Sequence, residues 1–351
     1  MILLDSHCDA PSQMLRLRDY CKDNPHAQVD FPKMKRGGVD ASFFALYIPA
    51  SLGPKEASEY AFKLLDETDR QVAAATGTVA YATTAEEVKE NQRKGLISIL
   101  LGLENASAIQ HDMELLHEFY KRGVRYVTLT HSADNQICDS CTGRGTWGGL
   151  SPFGRDLVRE MNRIGMLVDV AHCADSTIRE VLEVSDSPVV YTHGCCRALA
   201  SHKRNLSDEL LRSIARSGGV VGMSIYPCFL SDDFCTTLEN SGLLKKSKVE
   251  EAFIQDPASE KKRAAWEKLQ DSLAALPRPG VSLVVDHIEH AIDVCGIEHV
   301  GIGTDYDGIE VTAAGLEDIS RLGLTLDVLH GRGYRNSEVE LVAGENFLRL
   351  L

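Results

Sequence analysis

Eight times along this chain a short run of β-forming residues ends on or beside a polar side chain and gives way to a stretch with helical spacing. The runs span residues 2–7, 41–48, 96–104, 125–131, 166–172, 188–193, 219–225 and 299–305. Apolar side chains recur every three to four positions over 55–76, 85–94, 110–122, 175–185, 207–217, 283–296, 316–332 and 336–350, and in a stretch ending near Ile164. That is the spacing of helices with one buried face. Thr84 with Glu87 three residues on reads as a capping box, and Ser151 before Pro152 as an N-cap followed by the first helical position. Eight strand-then-helix units predict a closed parallel (β/α)8 barrel of the TIM type, with a doubly wound open sheet as the competing architecture. The polar strand ends favour the barrel, because the carboxyl ends of barrel strands converge on one rim. Residues 226–298 break the rhythm between the seventh and eighth runs. They contain the charged stretch 247–270 and read as a helical excursion over the rim, so that 1–351 is expected to form one barrel domain.

Charge and composition narrow the class. A net charge of −14 argues against nucleic acid, whose phosphates are bound by clustered Lys and Arg. No stretch approaches the roughly 20 consecutive apolar residues that cross a bilayer, and residues 1–4 are too short for the core of a signal peptide. The expectation is a cytoplasmic protein without a membrane partner, and a homodimer is compatible with it. Ten cysteines, several inside apolar segments (Cys8, Cys173, Cys195, Cys295), are then expected as reduced thiols.

The chemistry concentrates at the run ends. His7 and Asp9 lie two apart at the end of the first run and share a face of an extended chain. Glu104, His172 and His193 each close a run. One polar residue after an apolar run only marks where a strand meets water, but here every one is a metal-ligand type. Five ligands exceed what one tetrahedral ion takes. Two ions sharing Glu104 account for them, with His7 and Asp9 on one ion and His172 and His193 on the other. A water held between two divalent cations ionises near neutral pH, and the same ions act as Lewis acids on a carbonyl oxygen. Asp305 closes the eighth run and is placed to take the proton of that nucleophile and pass it to a leaving amine; Asp307 reads as a turn residue before Gly308. His131 closes the fourth run, and Arg204 lies on the loop after the sixth. The one suits an oxyanion and the other a carboxylate, but a solvated His and Arg fit the sequence equally well.

Taken together, residues 5–11, 125–131, 149–155, 167–172, 203–205, 301–308 and 315–318, in this order, resemble the membrane dipeptidase (renal dipeptidase) family of zinc peptidases across nearly the whole chain. The resemblance implies a barrel with two Zn²⁺ bridged by Glu104, with Mn²⁺ or Co²⁺ as alternatives, acting on dipeptides. It further implies that Arg204 grips the substrate's carboxylate, His131 polarises the scissile group, and Asp305 contacts the free amine and shuttles the proton. The chain departs from the mammalian members at Ser12, which is aromatic there, and in a longer segment over 228–280.

Three other motifs read as incidental. The G-x-G-x-x-G pattern over 143–148 does not follow a strand directly and reads as a rim loop. Cys138 and Cys141 have no second pair, and His287 and His290 sit at helical spacing. Two competing functions remain: an amidohydrolase acting on a cyclic amide, which would not need the cation at Arg204, and a non-catalytic metal- or peptide-binding barrel.

Overall fold

The computed structural model of the chain describes residues 1–243, 249, 252–253 and 256–351. Among them are nine strands: β1 (Leu4–Cys8), β2 (Ala41–Tyr47), β3 (Val79–Tyr81), β4 (Ile97–Glu104), β5 (Val124–Thr128), β6 (Leu167–Asp169), β7 (Val189–Gly194), β8 (Val220–Met223) and β9 (Val300–Ile302). Eight of them run β1-β2-β4-β5-β6-β7-β8-β9, every pair parallel. The ring is completed past the end of β9. There Asp305 N–H donates to the His7 carbonyl at 2.9 Å, and Asp9 N–H to the Tyr306 carbonyl at 2.8 Å. Asp5 adds its carboxylate, which accepts from Thr304 N–H at 2.8 Å and Thr304 Oγ at 2.7 Å. The result is the nearly closed parallel barrel that the alternation predicts. β3 was not predicted. It lies on the β5 side of β4, pairing with its first three residues while β5 pairs with its last four; three residues are too few to carry a pattern.

Side chains alternate between the barrel interior and the helical shell. Leu4, Phe43, Leu100, Tyr126, Val190 and Val220, from six strands, pack into one cluster with Phe347. Their neighbours Phe44, Leu101, Val127, Val189 and Val221 belong to the larger cluster shared with the helices. Two strands break the alternation near the rim. Between Asp5 and Cys8, β1 has one more residue than β2 opposite it, and between Tyr191 and Gly194, β7 has one more than β8. Such bulges re-aim side chains, and these two contain His7 and His193.

The predicted helix starts hold in detail. Thr84 Oγ1 accepts from Glu87 N–H at 3.2 Å and Ser151 Oγ from Gly154 N–H at 2.9 Å. Glu87, however, reaches back to Thr83 N–H rather than to the cap residue. The two C-terminal stretches, read as single helices, are divided. The first is a 3-10 turn (Ile319–Arg321) followed by Leu324–Gly331. The second is interrupted by a π-turn at Leu341–Glu345, where Gly344 packs so close to β1 that a Cβ would lie 2.7 Å from the Ile2 carbonyl.

The excursion between β8 and β9 is helical, as expected, with Pro227–Leu230, Asp232–Ser241, Glu260–Ala274 and Val281–Cys295. Residues 247–248, 250–251 and 254–255 of its charged stretch lie outside the described residues. Trp266 of this segment is buried beneath the guanidinium of Arg18, 4.9 Å from the ring centre. No helix among the described residues is long and apolar enough to cross a membrane.

Candidate active site

Five elements bring the predicted residues to one rim by different local means. Glu104 ends β4 and follows the alternation from Leu100 and Gly102. His7 and His193 are turned inward by the two bulges. His172 and Asp305 lie three residues beyond β6 and β9, each in the left-handed region at φ 65°. β6 stops early because Asp169 Oδ1 accepts the N–H groups of Ala171 and Thr192, both at 3.0 Å, in place of ladder carbonyls. Left-handed backbone at a non-glycine residue is uncommon and is often stored at functional sites.

The donor atoms converge. His172 Nε2 lies 3.0 Å from Glu104 Oε1, His193 Nε2 3.5 Å and His7 Nε2 3.7 Å. His7 Nε2 is 3.9 Å from Asp9 Oδ2 and 4.0 Å from Asp305 Oδ1, and His172 Nε2 is 2.9 Å from His193 Nε2. Three sets, His7–Glu104–His193, Glu104–His131–His172 and His7–Asp9–Asp305, each place donor atoms within 4.8 Å of one another. Donors around one tetrahedral ion at about 2.0–2.1 Å stand about 3.3 Å apart, and the spacings here are of that order. His7 Nε2 and Asp9 Oδ1 are buried without a hydrogen-bond partner, a costly state unless a ligand meets them. His/Glu/Asp clusters of this kind hold metal ions, and the residues fit that use. The geometry also brings His131 and Asp305, kept apart from the ligands in the sequence reading, within reach of the same centres.

The electrostatics point the same way. Burial, then Glu104, push the Asp9 carboxyl well above the ordinary range. Burial raises Asp305 to about 7; His7 opposes the shift and Glu104 adds to it. Burial also opposes the charge of Glu104, but His7, His172 and His131 outweigh it and hold this carboxyl well below the usual range. His172 and His193 are held well below the usual imidazole range by burial first. Their lone pairs are therefore available near neutral pH, as ligation requires. The crowded carboxylates call for positive charge: against burial, Glu104, Asp9 and Asp305 raise His7 to about 10, and divalent cations at the site would supply that charge instead.

A further layer orients the imidazoles. Thr192 Oγ1 donates to Asp169 Oδ2 at 2.7 Å and so receives the Nδ1–H of His193 at 2.9 Å, which leaves Nε2 bare toward the site. His7 Nδ1 pairs with Tyr126 Oη at 2.8 Å. The sequence reading missed these partners. Tyr126 looks like barrel core in sequence, and Asp169 and Thr192 like ordinary strand residues.

The centre opens into a cavity of about 280 Å³ lined by Asp9, Ser12, Arg16, Tyr47, Glu104, His131, His172, Asp305, Asp307 and Gly308. Ser12 was marked in sequence only as a departure from the mammalian members, and Arg16 and Tyr47 carried no signal of this position. Asp307 is anchored as a turn residue, accepting from Tyr20 Oη at 2.5 Å and Gln28 N–H at 3.1 Å. Arg204 stands behind the wall. Its Nη2 donates to the His193 carbonyl at 3.0 Å and its Nη1 to Tyr191 Oη, while Nε is buried without a partner. No carboxylate pairs with it among the described residues. The incidental motifs stay incidental. The 143–148 loop wraps the Asp134 carboxylate, all ten cysteines are free, and His287 ties Cys196 N–H to the Leu230 carbonyl.

Gly308 exposes the tightness of the carboxylate pair. A Cβ there would lie 2.0 Å from Asp9 Oδ2 and 2.5 Å from Asp305 Oδ1. Gly308→Ala is expected to displace both and weaken metal binding by roughly 10- to 100-fold, as loss of ligand support does. Metal content of the folded variant after dialysis at graded zinc concentrations checks this.

Comparison with known proteins agrees with this geometry. Dipeptidase aclJ of Aspergillus oryzae is 31% identical, the alignment covering 94% of this chain and 70% of that one. Dipeptidase verJ of Clonostachys rogersoniana is 29% identical over 99% of this chain and 83% of its own length. A metallopeptidase of Rhodobacter sphaeroides, solved with a phosphinate mimic of the dipeptide L-Ala-D-Ala, superposes with a TM-score of 0.82 at 25% identity, covering 100% of this chain and 98% of that one. Residues 1–351 match the membrane dipeptidase family as a whole, and the chain belongs to that family, peptidase family M19.

Proposed function

We propose that this metallo-dipeptidase cleaves the peptide bond of dipeptides with two zinc ions, one held by His7 and Asp9, the other by His172 and His193, with Glu104 shared between them. The observation that carries this reading is the convergence of the His7, His172 and His193 Nε2 atoms on Glu104 Oε1, with Asp9 beside a buried, partnerless His7 Nε2. When bound, such ions supply an ionised water and Lewis acidity toward the scissile carbonyl. Tyr126 and the Asp169–Thr192 pair hold His7 and His193 in register. Asp305, on the cavity wall, holds the substrate's free amine and carries the proton to the leaving amine. His131, which lines the same cavity, stabilises the developing oxyanion.

Arg204 holds the substrate's carboxylate. Its support is energetic: a buried guanidinium with an orphaned Nε and no carboxylate partner is costly unless an anion arrives. Clamping both charged ends limits the substrate to two residues, and it separates this function from cyclic-amide hydrolysis, which offers no carboxylate. Residues 226–298 belong to the same unit on this reading, supported by Asn205 Nδ2, which donates to the Phe229 carbonyl at 2.8 Å.

Arg204→Ala should lower kcat/KM for dipeptides by about 2–5 kcal/mol, chiefly through KM. Amidating the carboxylate should cost the wild-type enzyme a similar amount and the variant little. Steady-state kinetics on a free and an amidated dipeptide test this; equal hydrolysis of both by the wild type would refute the role.

A further inference from the structure

One wall of the cavity has no part in the chemistry above. The short helix Ala10–Leu15 leaves β1 immediately after Asp9, and its Ser12, together with Arg16 four positions on, faces the cavity beside Tyr47 at the end of β2. Residues four apart on a helix lie on one face. Among the described residues lining the cavity, Arg16 is the one Arg or Lys; its charged companions are Asp9, Glu104, Asp305 and Asp307. Ser12 is buried, and its Oγ has no hydrogen-bond partner. Burial pushes the phenols of Tyr47 and Tyr60 up and Arg16 opposes the shift at both, so its charge is felt across this wall.

The order of strands orients a substrate relative to this wall. Asp305 follows β9, which neighbours β1, whereas Arg204 follows β7, on the other side of β8 and β9. An amine held at Asp305 puts the first residue of a dipeptide on the β1 side of the mouth, with its carboxyl end toward Arg204. We propose that Arg16 is a specificity-determining residue that takes a carboxylate on the side chain of the substrate's amino-terminal residue, so that dipeptides beginning with Glu or Asp are preferred. The inference rests on the dipeptidase reading. A guanidinium fork receives a carboxylate through two parallel hydrogen bonds, and Ser12 Oγ offers a further donor on the same face. A carboxamide of the same shape satisfies neither the charge nor both donors.

The test is kcat/KM of the zinc-loaded protein for Glu-Ala against Gln-Ala, with Ala-Ala as reference, in wild type, Arg16→Gln and Arg16→Lys. The wild type is expected to favour Glu-Ala over Gln-Ala by about 10- to 100-fold, as a charge-assisted pair implies. That ratio should fall to within about threefold of unity in Arg16→Gln and be largely kept in Arg16→Lys. A wild-type ratio near one, or a ratio that Arg16→Gln leaves unchanged, overturns the inference. If Ala-Ala is turned over without Glu/Gln discrimination, only this inference fails; if no dipeptide is turned over, the dipeptidase reading fails and takes the inference with it.

Discussion

Asp305→Asn should lower kcat by about 10² to 10⁴ while both metal ions stay bound. The substitution keeps the shape and the hydrogen-bonding reach of the side chain and removes only its capacity to take a proton, which is the usual scale of a general acid–base contribution. Asp305 is suited to the task. Burial and the neighbouring Glu104 raise its carboxyl, His7 and Arg204 draw it down, and the balance is about 7. Cations held by the neighbouring ligands would lower it further and keep it a base at neutral pH. Its Oδ1, however, is also 4.0 Å from His7 Nε2 and within the His7–Asp9 donor set, so a ligand role is the competing account. Measuring kcat and metal content on one preparation separates the two: lost turnover with lost metal makes Asp305 a ligand, and near-normal turnover removes it from the mechanism.

Removing the metals should have the larger effect, a loss of several orders of magnitude, because nothing else in the cavity ionises a water near neutral pH. The residues on their own offer the neutral imidazoles of His172 and His193, a His7 that, against burial, Glu104 and Asp9 raise to about 10, and carboxyls at Asp9 and Asp305 that burial raises toward their protonated forms. Chelation followed by dialysis should therefore give a folded, inactive protein. The barrel is closed by bonds that need no metal, from Asp305 N–H to His7, Asp9 N–H to Tyr306 and Thr304 to Asp5. Zinc should restore turnover, and circular dichroism before and after chelation checks that the fold is retained.

What could be read from the sequence follows from how each residue reaches the rim. Glu104 sits at the end of a regular strand, where alternation from Leu100 and Gly102 points it inward, and a pattern of period two suffices to find it. His7 and His193 face inward only because each strand gains a residue in a bulge, which no periodicity announces. They were legible as residue types at run ends, not as geometry. His172, His131 and Asp305 were read as strand ends and lie three residues past them; beyond β6 and β9 the side-chain carboxylates of Asp169 and Asp5 take over ladder donors. The supporting layer was not legible. Tyr126 is indistinguishable in sequence from a core aromatic, and Thr192 becomes meaningful only once Asp169 has claimed its proton. Arg16 was hidden for a different reason: a helix of six residues is too short to show a face.

The central claim, a shared pair of ions, is tested most directly by titrating the metal-free protein with zinc while following dipeptide turnover and counting bound ions by mass spectrometry of the elements. The account predicts that activity reaches its plateau at two ions per chain and is restored by stoichiometric rather than excess metal. Full activity at one ion per chain, or turnover undiminished in the metal-free protein, would contradict it.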